Sequence, residues 1–185
     1  VINALTDAEH PCQALADVQT IVEQLGSVSG AKVAFIGDGN NVAVSLAYAV
    51  AGLGGQLTVA SPNDYTLPQE SLDDANAYGA SAGGSVKQVT SPQEGIAGAD
   101  IVYTDVWTSM GQEAETAKRL IAFDGYQVNP ALLDLAGPNV KFMHDLPAHP
   151  GEEISDGLLY DPRSVAFDQA ENRLWAQAAL MEKLI

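Results

Sequence analysis

The chain has 185 residues, 46% apolar and 17% charged, which suits one globular domain, 1–185, with a core of its own. Acidic residues outnumber basic ones 24 to 8, a formal net charge of -16, so phosphate backbones and anionic bilayers are repelled and neither a nucleic acid nor a membrane is an expected partner. Cys12 is the single cysteine, which excludes an internal disulfide and a cysteine-built metal cluster and makes a reducing cytoplasm the expected location.

Taken in chain order, residues 1–7 (VINALTD) have neither the basic nor the apolar region of a signal peptide, and the start lacks a methionine, as in a processed or excised chain. No apolar run reaches the roughly 18 residues a membrane span needs. Residues 11–25 carry apolar positions at helical spacing and stop at Gly26, a C-cap signal. A buried strand follows at 32–37 (KVAFIG), then a helix at 42–52, a strand at 56–61, a helix at 69–78 and a strand at 85–89. A short helix at 93–97, a strand at 101–105, helices at 111–122 and 129–135, a strand at 141–144 and a closing helix at 170–184 complete the pattern. Strands that are apolar throughout, alternating with helices, predict an α/β fold: a three-layer, doubly wound, Rossmann-like parallel sheet of five strands in the order 3-2-1-4-5. The longer loops are 61–68 and 147–164, the second rich in proline and glycine.

Several segments carry chemistry. Gly37-Asp38-Gly39-Asn40-Asn41-Val42 joins the first strand to a helix. It suggests a dinucleotide loop, but the third glycine is replaced by Val42 and the second strand ends without an acid for a ribose. A tight turn with a capping Asn is the plain alternative. As a ligand loop at the carboxyl edge of the sheet, it offers the Asn41 amide, whose donors and acceptor suit a zwitterionic amino-acid head. Asp105 ends the fourth strand and serves either as a helix cap or as partner to an ammonium. His10 and Gln13 open the first helix, and Arg173 sits near the start of the last. Cys12 reads as packing. His144, Asp145 and His149 include metal-type donors but fit no metal spacing well.

The runs Asp105–Glu113 (DVWTSMGQE) and His144–His149 (HDLPAH), with Asp-Gly-Asn-Asn at 38–41, closely resemble the ornithine-side motifs of the ornithine carbamoyltransferases. The resemblance extends from Asn3 to the final helix. That family divides its active site between two domains, and this chain resembles the second; the Ser-x-Arg-Thr-Arg phosphate loop of the first does not occur here. Aspartate-specific relatives share His-Pro-x-Gln but not Asp-Gly-Asn-Asn or Ser-Met-Gly, so ornithine is the implied amino acid. By resemblance, Asn41, Asp105, Ser109 and Met110 contact its α-amino-acid head, and the backbone near Leu146 helps bind its side-chain amine. His10, Gln13 and Arg173 are implied to contact carbamoyl phosphate, His10 and Gln13 at the carbamoyl group, where N–H donors stabilise a developing oxyanion. Asp145 stands where the family has the cysteine of His-Cys-Leu-Pro and replaces a thiol with an expected anion.

The expected function is therefore binding of L-ornithine, or of lysine or arginine, by an isolated monomeric domain that is inactive alone. Alternatives are one half of an ornithine carbamoyltransferase of arginine biosynthesis, engaging carbamoyl phosphate with a complementary domain, and a nucleotide-binding module. No cofactor and no metal is expected.

Overall fold

The computed structural model describes residues 1–109, 111 and 113–185. Strands β1 (Lys32–Ile36), β2 (Gln56–Ala60), β3 (Ser85–Val89), β4 (Ile101–Thr104) and β5 (Lys141–His144) form one sheet, all pairs parallel, in the predicted order β3-β2-β1-β4-β5. Strand pleating sends Val33 and Phe35 to one face and Ala34 and Ile36 to the other, and all four are essentially buried. That double burial is why the strands read as unbroken apolar runs.

Helices α1 (Pro11–Leu25), α2 (Asn41–Gly52) and α3 (Gln69–Gly79) supply the core around Phe35 through residues such as Ile21, Leu46 and Ala75. The opposite face is covered from α4 (Pro92–Ile96) and α6 (Pro130–Leu133), with Ile96, Leu132 and Leu133 packing around Ile36 and Phe142. Helix α5 (Thr116–Ala122) ends at Phe123 in this second layer, and α7 (Ala166–Leu184) lies along α1. Each fully buried large apolar side chain contributes about 1.5–3 kcal/mol. No helix among the described residues is long and apolar enough to cross a membrane.

Element ends depart from the sequence reading for local reasons. The strands expected at 32–37, 56–61 and 101–105 each stop one residue early, at Ile36, Ala60 and Thr104. The released Gly37, Ser61 and Asp105 begin the loops. The helix expected at 111–122 starts only at Thr116, because Gly111 takes φ 88° and Glu113–Glu115 form a 3-10 turn. Ser91 caps α4 from one residue earlier than expected, its hydroxyl accepting from the Glu94 amide, with Pro92 as first residue. The last helix begins at Ala166 rather than 170, its start held by the Val165 amide donating to Phe142 O at 2.9 Å. The long 147–164 segment is tied down: Val128 N–H donates to Glu153 O, and Phe142 N–H to Arg163 O.

Candidate functional site

The carboxyl ends of β1, β4 and β5 lie side by side. Crossovers leave β1 and β4 in opposite directions, so the crevice between them is the switch point where doubly wound sheets bind ligands. A cleft of about 1330 Å³ opens there, lined by His10, Asn41, Asp105, Ser109, Asp145 and Leu146, among others. Six of the nine residues singled out from sequence thus meet in one place. Met110 lies outside the described residues, and Gln13 and Arg173 sit together outside the cleft lining.

The loop after β1 is shaped by packing. A side chain at Gly39 would meet the Leu67 amide nitrogen at 2.3 Å and the Thr66 carbonyl carbon at 2.4 Å, so the neighbouring backbone accounts for this glycine without any phosphate. Asn40, not Asn41, caps α2: its Oδ1 accepts from the amides of Val42 and Ala43 at 3.0 and 3.1 Å. Its Nδ2 donates to Asp105 Oδ2 at 2.7 Å, and Asp105 Oδ1 accepts from the Val106 amide at 2.6 Å. Asn41 turns its Nδ2 to Thr6 O at 2.7 Å, which anchors the N-terminal segment along the cleft.

Asp145, expected from sequence to be an anion, has a side chain only 10% exposed and stands next to Asp105 across the paired ends of β4 and β5. Burial, then the Asp105 charge, push its pKa well above the ordinary carboxylate range, which favours the protonated form. Its Oδ1 has no hydrogen-bond partner among the described residues. It lies 3.5 Å from His144 Nδ1, but that nitrogen already accepts from the Leu146 amide at 2.9 Å. The imidazole proton is therefore on Nε2, which faces Glu153 Oε1 at 3.2 Å, and His144 offers Asp145 no cation on that side. The same Leu146 amide bond holds a leucine at φ 58°, a left-handed conformation that costs roughly 1–2 kcal/mol outside glycine.

The group expected at the carbamoyl end is organised by Asp17, which sequence reasoning missed. Asp17 is fully buried, and its Oδ1 accepts from Gln13 Nε2 at 2.8 Å, Gln169 Nε2 at 2.7 Å and Tyr103 OH at 3.3 Å. Burial raises its pKa from 3.8 to about 7 despite those donors. Gln13 Oε1 accepts from Arg173, so both ends of this amide are engaged within the protein and it aims no unpaired oxygen at the cleft. Gln169 Oε1 accepts from the His144 amide at 2.9 Å and so joins α7 to the end of β5. His10 is placed by its backbone amide, which donates to Ser45 Oγ at 2.8 Å. Burial and the nearby Arg173 lower its pKa, favouring the neutral ring. The signal for Asp17 was available: Gln13, Asp17 and Thr20 put polar groups on the buried face of α1.

Arg119 was also missed. It is buried in the cleft wall, donating to Asp38 at 2.5 Å and to Trp107 O at 2.8 Å, with its guanidinium 4.9 Å from the Tyr65 ring centre. Trp107 stacks on Phe123 with centroids 5.5 Å apart, so this motif tryptophan acts as packing. Of metal-type donors, His149, Glu152 and Glu153 lie within 4.8 Å of one another. His144 has both ring nitrogens engaged, which removes it from the combination with Asp145 and His149.

Four buried polar atoms of residues on the cleft lining have no hydrogen-bond partner among the described residues: His10 Nδ1, Tyr65 OH, Thr108 Oγ1 and Asp145 Oδ1. Such atoms are uncommon, and their convergence marks a place built to bind something polar.

Comparison with known proteins agrees with that geometry. The family model for "Aspartate/ornithine carbamoyltransferase, Asp/Orn binding domain" matches residues 29–184. The chain is 55% identical over 185 residues to the anabolic ornithine carbamoyltransferase of Pseudomonas aeruginosa, covering 100% of the chain and 58% of that protein. It is 50% identical over 181 residues to the ornithine carbamoyltransferase of Thermococcus kodakarensis, covering 98% of the chain and 58% of the relative. Among solved structures, the ornithine carbamoyltransferase from Pyrococcus furiosus superposes with a TM-score of 0.92 at 48% identity, over 96% of this chain and 57% of that one. The chain thus spans somewhat over half the length of the relatives it matches.

Proposed function

The chain belongs to the aspartate/ornithine carbamoyltransferase family, and on that premise we propose that its cleft binds L-ornithine, with lysine and arginine as weaker candidates. The observation that carries this reading is the Asp105 carboxylate at the switch point, flanked by buried polar atoms without partners among the described residues. Asp105 receives the α-ammonium, a charge-assisted contact. Asn41, Ser109 and Met110 hold the rest of the amino-acid head. The side-chain cation extends toward Asp145 and the backbone at Leu146.

Turnover to citrulline and phosphate belongs, in this proposal, to an assembly with a carbamoyl phosphate-binding domain. His10, Gln13 and Arg173 serve its carbamoyl end, with His10 in the cleft and the other two tied to Asp17 beside it. The 185 residues by themselves bind the amino acid without turning it over, and do so as a monomer. A stable trimer in light scattering at micromolar concentration counts against that last point.

Calorimetry with ornithine, lysine, arginine, carbamoyl phosphate and NAD tests the reading. The expected result is saturable ornithine binding and none for NAD. NAD binding without amino-acid binding would replace this reading with a nucleotide module.

A further inference from the structure

We propose that Asp105 and Asp145 hold one proton between them and that an amino acid with a side-chain ammonium binds by displacing this proton to solvent. This rests on the reading of the cleft as a cationic amino-acid site and deepens it: the ligand is taken with both of its ammonium groups charged, in exchange for a proton. Asp105 and Asp145 directly follow the paired residues Thr104 and His144 at the ends of adjacent strands and line one cleft, and two carboxyls brought together out of water are held more easily with one proton than with two charges.

Hydrogen-bond geometry says which carboxyl carries it. Asp105 accepts at both oxygens, from the Asn40 side chain at 2.7 Å and the Val106 amide at 2.6 Å, the setting of an anion. Asp145 has a carboxyl buried to nine-tenths and an Oδ1 without a partner among the described residues, facing the lone pair of His144 Nδ1 at 3.5 Å. That is the setting of a neutral acid, which donates to Asp105 through its other oxygen. The direction of the Asp145 pKa agrees.

The charged surroundings leave this arrangement uncompensated. From α1, Asp17 adds repulsion and His10 tends to stay neutral. From β4, the Tyr103 phenol is fully buried, and that burial, then the charges of Asp17, Asp145 and Asp105, push its pKa upward, so it supplies no compensating charge. The nearby cation Arg119 is committed to Asp38 at 2.5 Å. A second negative charge therefore forms at Asp145 only when the ligand brings a positive one. When it does, the O–H bond of Asp145 breaks, the proton passes to water or buffer, and the carboxylate pairs with the ammonium.

The exchange is read by titrating ornithine calorimetrically at neutral pH in two buffers of different ionisation enthalpy. The expected result is release of close to one proton per ornithine, with affinity rising up to about tenfold per pH unit while Asp145 is protonated in the empty protein. Asp145→Asn keeps the shape and the donor toward Asp105; it is expected to bind ornithine with no proton release and a flat pH dependence. Binding by the parent without release, or equal release from the Asn variant, overturns the exchange and leaves the ornithine reading standing. Absence of ornithine binding overturns the functional reading and the exchange together. Infrared spectra of the empty protein decide the proton separately: a protonated-carboxyl band that Asp145→Asn does not diminish removes the proton from this pair.

Discussion

The Asn40 side chain links the cap of α2 to the Asp105 carboxylate, its Oδ1 accepting from the helix amides and its Nδ2 donating to Asp105 Oδ2 at 2.7 Å. One amide therefore starts a helix and orients the carboxylate proposed to meet the ligand ammonium. Asn40→Ala is expected to cost about 0.5–2 kcal/mol of stability through the lost cap. It is also expected to weaken ornithine affinity, because Asp105 is free to turn. Denaturant unfolding and ornithine calorimetry on the same variant check both; unchanged affinity would remove Asn40 from the positioning of Asp105.

Arg119 and Asp38 make a buried pair, with side chains 7% and 12% exposed. Deleting one member of such a pair strands the other, typically at about 3–5 kcal/mol. Arg119→Leu should fall in or near that range. Adding Asp38→Asn should recover part of the loss, since the stranded charge is gone. Midpoints of urea unfolding for the single and double variants measure this.

Asp17 gives stability a pH dependence of definite sign. Folded, it keeps its proton up to about 7, whereas its ordinary pKa is 3.8. Between those values the unfolded chain binds fewer protons than the folded one, so raising the pH favours unfolding by about 1.4 kcal/mol per pH unit from this residue. Its contribution is flat below 3.8 and above about 7. Asp17→Asn can accept the same donors at Oδ1 and should lose less stability than the parent when pH rises through that window. Parallel slopes for parent and variant would contradict this.

The 185-residue chain alone is expected to show no saturable citrulline formation. Enforced proximity of two reactants accounts for about 7–11 kcal/mol of a barrier, and the present cleft offers walls for one of them. Adding a carbamoyl phosphate-binding domain of a relative in trans is the condition under which activity should appear. A colorimetric citrulline assay, with and without that domain, separates the cases.

The sheet was legible because its strands are buried on both faces, which leaves unbroken apolar runs such as 33–36 and fixes the crossover order. Asn41, Asp105, Ser109, Asp145 and Leu146 were picked out through the resemblance of their motifs, and they line one cleft because parallel topology brings the loops after β1, β4 and β5 together. What sequence did not show was pairing across distance. Asp105 and Asp145 meet only once β4 and β5 are adjacent, and burial there, with the Asp105 charge beside it, pushes the Asp145 pKa upward. Arg119 drew no attention in the sequence, since nothing local reveals that its partner is Asp38, 81 residues earlier. Asn40 and Asn41 are adjacent and chemically alike, and only the helix start tells the cap from its neighbour.

The Gln169 amide donates to Asp17 and accepts from the His144 backbone, so one rigid plane spans from the helix carrying Gln13 to the end of the strand that leads into Asp145. The distance between the end proposed to hold an electrophile and the end proposed to hold a nucleophile is thereby gauged by a single planar group. Resizing the cleft for a longer or shorter amino acid by changing the 145–149 loop alone leaves that gauge in place; altering the gap itself requires replacing Gln169 and resettling α7 with it.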